Sequence, residues 1–224
     1  MRFGWLTAIA ALFLATPAAA GLTARYAQEG EARPLTIQVG ANGDSRMMVA
    51  EAVYVRTRGT IYMIMSDAGG EFVVRQEDFL SLMEELLRAA PAAGPPPSAG
   101  RTMIAEAGRE TVGGRVGTRF LLSLSGAPSD TIDAVLSTDP ELAPLGRAMA
   151  HQMPPFFATM GRAIPGFGEA MAELMARGTL IRLATLWRLE SVESGPIPDS
   201  AFAVPSAPID REALAARFGV RRAD

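Results

Sequence analysis

The 224-residue sequence has no cysteine, no lysine and a single histidine. Without cysteine there is no disulfide, no thiolate nucleophile and no Cys-ligated metal, so stability rests on packing alone. The same absence excludes the lipidated cysteine of a conventional bacterial lipoprotein. His151 is the one candidate base for a Ser-His-Asp triad, and no G-x-S-x-G elbow accompanies it. Phosphate-loop, H-E-x-x-H and calcium-loop patterns are missing too, so a non-enzymatic protein without a cofactor or bound metal is expected. All 21 basic residues are arginine, as codon usage in a GC-rich bacterial genome produces. The net charge of −3 is weakly acidic, which argues against nucleic acid as a partner.

What is present begins with an export signal. Arg2 gives a short positive start, Trp5 to Ala15 is almost entirely apolar, and Pro17-Ala18-Ala19-Ala20 offers a small-residue cleavage site before Gly21. Residues 1–20 therefore read as a cleavable signal peptide and the mature protein as periplasmic. The apolar run is shorter than the roughly 20 residues that span a bilayer. Every later apolar stretch is interrupted by Pro, Gly or charge, so no stable transmembrane insertion of the mature chain is expected. Roughly 200 residues remain, typical of one domain with a sizeable core.

The first half of the mature chain reads as short antiparallel strands at 22–28, 34–40, 46–50, 52–56, 60–65 and 71–75. Asn42-Gly43-Asp44, Arg58-Gly59 and Asp67-Ala68-Gly69-Gly70 supply turns between them. Leu35, Ile37 and Val39 alternate with polar residues, whereas Tyr62-Met63-Ile64-Met65 is apolar on both faces and suits a strand that is central or covered on both sides. From Glu77 to Ala90 the period changes: Phe79, Leu82, Met83, Leu86 and Leu87 form a helical stripe, with Glu77 and Asp78 at its start and Arg88 at its end. Residues 91–100, rich in Pro, Ala and Gly, read as a loop within the domain.

Strands are expected again at 102–106, 115–124 and 131–137. Asp139-Pro140-Glu141 then starts a helix. Pro154-Pro155 and Pro165-Gly166 break the helical stretch into three pieces, the second being 156–164 and the third 167–176. One long strand is expected over 179–192, with Ile181, Leu183, Trp187 and Leu189 on one face and Arg182, Arg188 and Glu190 on the other. Phe202 and Val204 suit a last short strand, and 210–218 a terminal helix. The order of elements predicts the α+β class, a curved antiparallel sheet with helices across one face.

Three stretches carry a resemblance. Gly108-Arg109-Glu110-Thr111-Val112-Gly113-Gly114 resembles a "G-x-E-x-V-x-G" turn, and Ile197-Pro198-Asp199-Ser200-Ala201-Phe202-Ala203-Val204-Pro205 a "P-D-x-x-F-x-V-P" closing strand. Val135 to Leu142 is similar to the strand-to-helix entry of the same group. These patterns belong to a family of exported bacterial proteins, of undefined activity, that is similar to the LolA-like periplasmic lipoprotein carriers. Arg115, where an aromatic residue often follows the turn, and Gly117, where a Cys sometimes stands, depart from the pattern. The resemblance covers about 22–206. It implies a LolA-like α+β domain over 21–206, with 207–224 a C-terminal helix and tail. The implied fold is a strongly curved sheet (a half-barrel) whose concave face is closed by helices. In the carrier branch that apolar space receives acyl chains.

The residues themselves are compatible with such a space. Met149, Met153, Phe156, Phe157, Met160, Phe167, Met171 and Met175 concentrate on the broken helices, and Met47 or Met48, Met63 or Ile64, Ile181, Leu183 and Trp187 can face them from strands. Methionine is unbranched and adaptable, suited to a pocket that repacks around a lipid or lipoprotein acyl chain. The same stripe also suits an ordinary filled core, in which case the domain is a structural or signalling module of the envelope with a protein partner. Met149-Ala150-His151-Gln152-Met153 would converge on a soft metal only as a strand. On a helix His151 points roughly 160° away from the two methionines. The i,i+4 carboxylates Glu169 and Glu173 read as a solvated helix face.

Overall fold

The computed structural model describes residues 21–27, 34–49, 52–89, 102–123, 131–155, 157 and 166–220. The expected signal peptide, the 91–100 loop, Phe156 and Met160 lie outside them, as does most of the expected second helical piece. Six strands come first: β1 (Gly21–Ala27), β2 (Leu35–Val39), β3 (Ser45–Val49), β4 (Ala52–Thr57), β5 (Thr60–Asp67) and β6 (Gly70–Arg75). Helix α1 (Gln76–Ala89) follows, then β7 (Met103–Val112), β8 (Arg115–Ser123) and β9 (Thr131–Ser137). A short 3-10 turn (Pro140–Leu142) leads into α2 (Ala143–Gln152), and α3 (Phe167–Arg177) precedes β10 (Thr179–Leu183) and β11 (Trp187–Gly195). A second 3-10 turn (Asp199–Phe202) and α4 (Arg211–Arg217) complete the described chain.

All eleven strands join one antiparallel sheet in the order β6-β5-β4-β3-β2-β1-β11-β10-β9-β8-β7. Two meanders meet where β1 pairs with β11, from Gly21↔Gly195 to Ala27↔Arg188. The sheet is open, with β6 and β7 at its edges. The expected turns close the first meander: Thr57 pairs with Thr60 across Arg58-Gly59, and Asp67 with Gly70 across Ala68-Gly69.

Alternation sorts the side chains. Met47, Tyr54, Met63 and Val74 lie side by side in register on one face, with Ile37 continuing the row onto β2. On β1 to β3 this face joins the main core, which also takes in β8 to β11, α2 and α3. On β5 and β6 it packs Met63, Phe72 and Val74 against Leu82 of α1 and Leu214 of α4. The other face of β4, β5 and β6 buries Val55, Ile64 and Val73 beneath Phe202. Strand β5 is therefore covered on both faces, although it stands second from an edge rather than at the centre.

Helix α2 rests on β1, β2 and β10, α3 touches β9, and α1 packs on β5, β6 and α4. Asp139 starts the α2 segment as expected, its carboxylate accepting from the Glu141 N–H at 3.0 Å. Tyr26 ties three elements together. Its buried hydroxyl donates to the Leu180 carbonyl at 2.8 Å, beside the β9–β10 bulge, and lies 3.6 Å from Met149 Sδ.

The structure corrects three expected elements. The single strand over 179–192 is a hairpin, with Leu183 paired to Trp187 and the Leu186 N–H donating to the Leu183 carbonyl. Its turn, Ala184-Thr185-Leu186, has no Gly, Pro, Asn or Asp to announce it. Residues four apart also keep the same facing, so the apolar alternation runs through the turn undisturbed. Strand β7 continues past Gly108 through a bulge between Glu106 and Arg109, so the reversal is confined to Gly113-Gly114. Around Phe202 the chain forms a 3-10 turn instead of a strand, and Phe202 is buried as a plug.

The β7–β8 hairpin tip reaches far across the sheet. A Cβ on Gly113, whose φ is +55°, would stand 2.6 Å from the Leu189 carbonyl oxygen on β11. Only glycine fits this approach.

Candidate functional site

Between the main core and the α1 core lies a cavity of about 180 Å³. Strands β3, β4 and β5 supply Met47, Val49, Ala52, Tyr54 and Met63, the start of α1 gives Gln76, Phe79 and Leu80, and β11 gives Trp187. The end of α2 contributes Gln152 and Met153, followed by Pro155. Tyr54 packs against both cores, and burial pushes its phenol pKa up. The α2 helix stops at Gln152 because the residues after Met153 are prolines, which provide no N–H for the ladder. That stop places Gln152 and Met153 against β3.

Gln152 is a polar residue on a buried helix stripe. Leu145, Ala148, Met149 and Gln152 recur at i, i+3, i+4 and i+7, and all are buried. The Gln152 amide Nε2 donates to Ser45 Oγ at 2.6 Å and reaches the Ser45 carbonyl oxygen at 3.4 Å. Its Oε1 is buried and has no hydrogen-bond partner among the described residues.

The candidate residues divide. Met63, Met153 and Trp187 line the cavity, together with Met47. Met48 and Ile64, joined in register through Val53, belong to the opposite face of the sheet, since the residues before them in the chain, Met47 and Met63, face the cavity. Met149 is used against Tyr26. Phe157 packs edge-on to Phe167 at 5.8 Å between ring centres and lies 6.4 Å from Trp187. Phe167, Met171, Met175 and Leu183 are buried in the main core.

Ile181 takes a different place from its expected companions. At the β9–β10 register shift it is the extra residue, and a Cβ on Gly117 would stand 3.0 Å from Ile181 Cδ1 and 2.7 Å from Val135 Cγ1. Val135 and Gly117 lie on the face opposite to Leu136 and Thr118, so the bulge turns Ile181 away from Leu183 and Trp187.

The wall residues missed in the sequence are Val49, Ala52, Tyr54, Gln76, Phe79, Leu80, Gln152 and Pro155. Gln152 had a signal, an amide on an otherwise apolar helical stripe. Ala52 and Val49 had none, because a small residue on a strand reads the same beside a gap as beside a neighbour.

The sheet face around Arg182 carries a network of ion pairs. Arg182 makes two bonds to Glu110, at 2.9 and 3.0 Å, and one to Asp133 at 2.8 Å. Arg119 holds the other Asp133 oxygen. These groups satisfy one another and tie β7, β9 and β10 together. His151 is exposed on α2 while Met149 and Met153 are buried, so the three diverge as helical spacing requires. Among the described residues, no three His, Cys, Asp or Glu side chains gather as a metal site. No helix there is long and apolar enough to cross a membrane.

No protein-family model, curated protein or solved structure matches the chain.

Proposed function

We propose that this is an exported, non-catalytic binding protein of the bacterial envelope that holds an apolar ligand, a lipid or an acyl chain, in the cavity between α1, α2 and the sheet. The observation that carries this reading is the cavity wall. Met47, Met63 and Met153 bring three adaptable thioethers to one space with Tyr54 and Trp187. Its size sets the scale of occupant. Sites for drug-sized ligands run from about 300 Å³ upward. A space of about 180 Å³ suits a short tail or the end of a longer chain. Each methylene buried there contributes about 0.8 kcal/mol.

The proposal includes a LolA-like half-barrel with helices on its concave side. Open twisted sheets of more than about ten strands tend to curl. The approach of Gly113 to β11, across the width of β8 to β10, supports that curvature. Export to the periplasm rests on the character of residues 1–20.

A second reading has its own support. Phe157, Phe167, Met171 and Leu174 are fully buried, which suits a filled-core envelope module that works through a protein partner. Native mass spectrometry of the protein purified from a bacterial periplasm, with solvent extraction, separates the two. Bound lipid or a series of acyl adducts is the outcome expected of the carrier. A clean mass, with no uptake of added fatty acid or phospholipid, would overturn it in favour of the interaction module.

A further inference from the structure

We infer that an open pocket between α2 and the β2–β3 turn binds a phosphate group, held by Arg56, Arg147 and His151. The inference goes beyond the apolar-ligand reading and does not depend on the cavity between the two cores. The pocket measures about 380 Å³. Val39, Ser45 and Arg56 form one row in register across β2, β3 and β4, and Ile37, Met47 and Tyr54 form the next row on that face. Two residues along each strand separate the rows, about 7 Å. Arg56 therefore shares the face of Tyr54 and meets α2 one row beyond the cavity. On the helix, Pro144, Arg147, Ala148 and His151 recur at i, i+3, i+4 and i+7, so a single flank of α2 lines the pocket.

Charge singles this pocket out. The chain carries 24 Asp and Glu against 21 Arg, yet among the described residues no carboxylate lines it. Arg115, Arg119, Arg182 and Arg217 are paired with carboxylates, whereas Arg147 and His151 make no ion pair or hydrogen bond among the described residues. Arg56 donates to the Gly43 carbonyl at 3.2 Å, which holds its guanidinium at the turn and leaves its other N–H groups to a ligand. The carboxylate of that turn, Asp44, is already engaged by Asn42 Nδ2, Thr57 Oγ1 and the Arg58 N–H. Two guanidinium forks and an imidazole N–H match an oxyanion, which brings only acceptors. Two fixed positive charges suit a phosphate monoester, at about −1.5 to −2, better than a single carboxylate. An engineered cavity of roughly 150 Å³ takes up benzene, so this larger space leaves room for an apolar stem along Leu22, Val39 and Ala148. The phosphate belongs to a lipid headgroup or is free, and the probes below separate the two.

Calorimetric titration of the full chain at about 0.15 M salt with inorganic phosphate, with hexyl phosphate and with 1-hexanol tests this. Hexyl phosphate is expected to bind, and Arg147→Gln should weaken it about tenfold. His151→Ala, at a second exposed position, should weaken it too. Arg188→Gln removes the same charge from an exposed site on β11 outside the pocket and should change affinity less than about twofold. 1-Hexanol, the uncharged probe for the cavity between the cores, should bind Arg147→Gln and the unmodified protein alike. Tighter binding of hexyl phosphate than of inorganic phosphate supports a headgroup site, and equal affinity supports a site for free phosphate. Binding of neither phosphate would overturn the inference, while 1-hexanol reports separately on the apolar reading. Affinity that survives in both Arg147→Gln and His151→Ala would overturn the assigned residues. An equal loss in Arg147→Gln and Arg188→Gln would overturn the site in favour of general charge attraction.

Discussion

Replacing Ala52 by leucine asks directly whether the space between the two cores is real. Ala52 is half-buried on β4, lines the cavity and pairs in register with Val49. Leucine adds three carbons. At about 0.8 kcal/mol each they would contribute about 2.4 kcal/mol if wholly removed from water. The half-buried position reduces this to about 1 kcal/mol, less any rotamer entropy lost. For a protein of this size each kcal/mol moves Tm by about 2–4 °C, so with leucine's entropy loss of about 0.5–1 kcal/mol subtracted Ala52→Leu should melt about 1–2 °C higher. It should also weaken 1-hexanol binding, because the same space is now occupied. Urea unfolding and calorimetric titration on the same preparation measure both effects. The sign is the decisive quantity. In a filled core the extra carbons would force neighbours off their rotamers at a cost of about 1–3 kcal/mol. A fall in both Tm and the urea midpoint would therefore refute the reasoning and favour the filled-core module.

Three further outcomes follow from the packing and the charges. Tyr26→Phe removes the 2.8 Å donor to the buried Leu180 carbonyl and should cost about 1–3 kcal/mol in urea unfolding, with 1-hexanol affinity unchanged. A loss of binding instead would mean that the hydroxyl reaches the cavity. Gly113→Ala places a Cβ against the Leu189 carbonyl at positive φ and should destabilise the protein by at least about 1 kcal/mol. Unaltered stability would show that the hairpin tip is not docked on β11. Asp139 is held below its ordinary pKa of 3.8 by the Glu141 backbone N–H and then by Arg115, so its contribution is complete above that value and is lost as pH falls through the lowered one. The urea midpoint of the unmodified protein should therefore drop more steeply below about pH 4 than that of Asp139→Asn, and parallel profiles would count against the assigned contacts.

How much of this was legible depends on how far apart in the chain the deciding atoms lie. The first meander, α1, the Asp139-Pro140 helix start and α4 are local: alternation, turn residues and capping groups within a few positions specify them. Leu35, Ile37 and Val39 announced a one-sided strand, and one face of β2 is buried as they implied. The residues 184–186 concealed a turn because their apolar spacing preserves strand parity, and only pairing of Leu183 with Trp187 reveals it. The candidate site was legible as a pool of methionines and aromatics and not as a place. Met149 and Met153 occupy one helical stripe four residues apart. Yet Met149 closes on the Tyr26 hydroxyl from β1, whereas Met153 faces the gap bounded by β3, β5, α1 and β11.

The sequence by itself determined an antiparallel α+β chain with an apolar, methionine-rich interior and no cysteine chemistry, because composition and periodicity are properties of neighbouring residues. Which of those side chains meet one another and which leave a space was decided only by the tertiary structure. A cavity is a mismatch of volumes among segments such as Met47, Phe79, Gln152 and Trp187, which are distant in sequence and come together only in the folded sheet. The unpaired oxygen of Gln152 arises in the same way, since Ser45 engages one arm of the amide and nothing among the described residues engages the other.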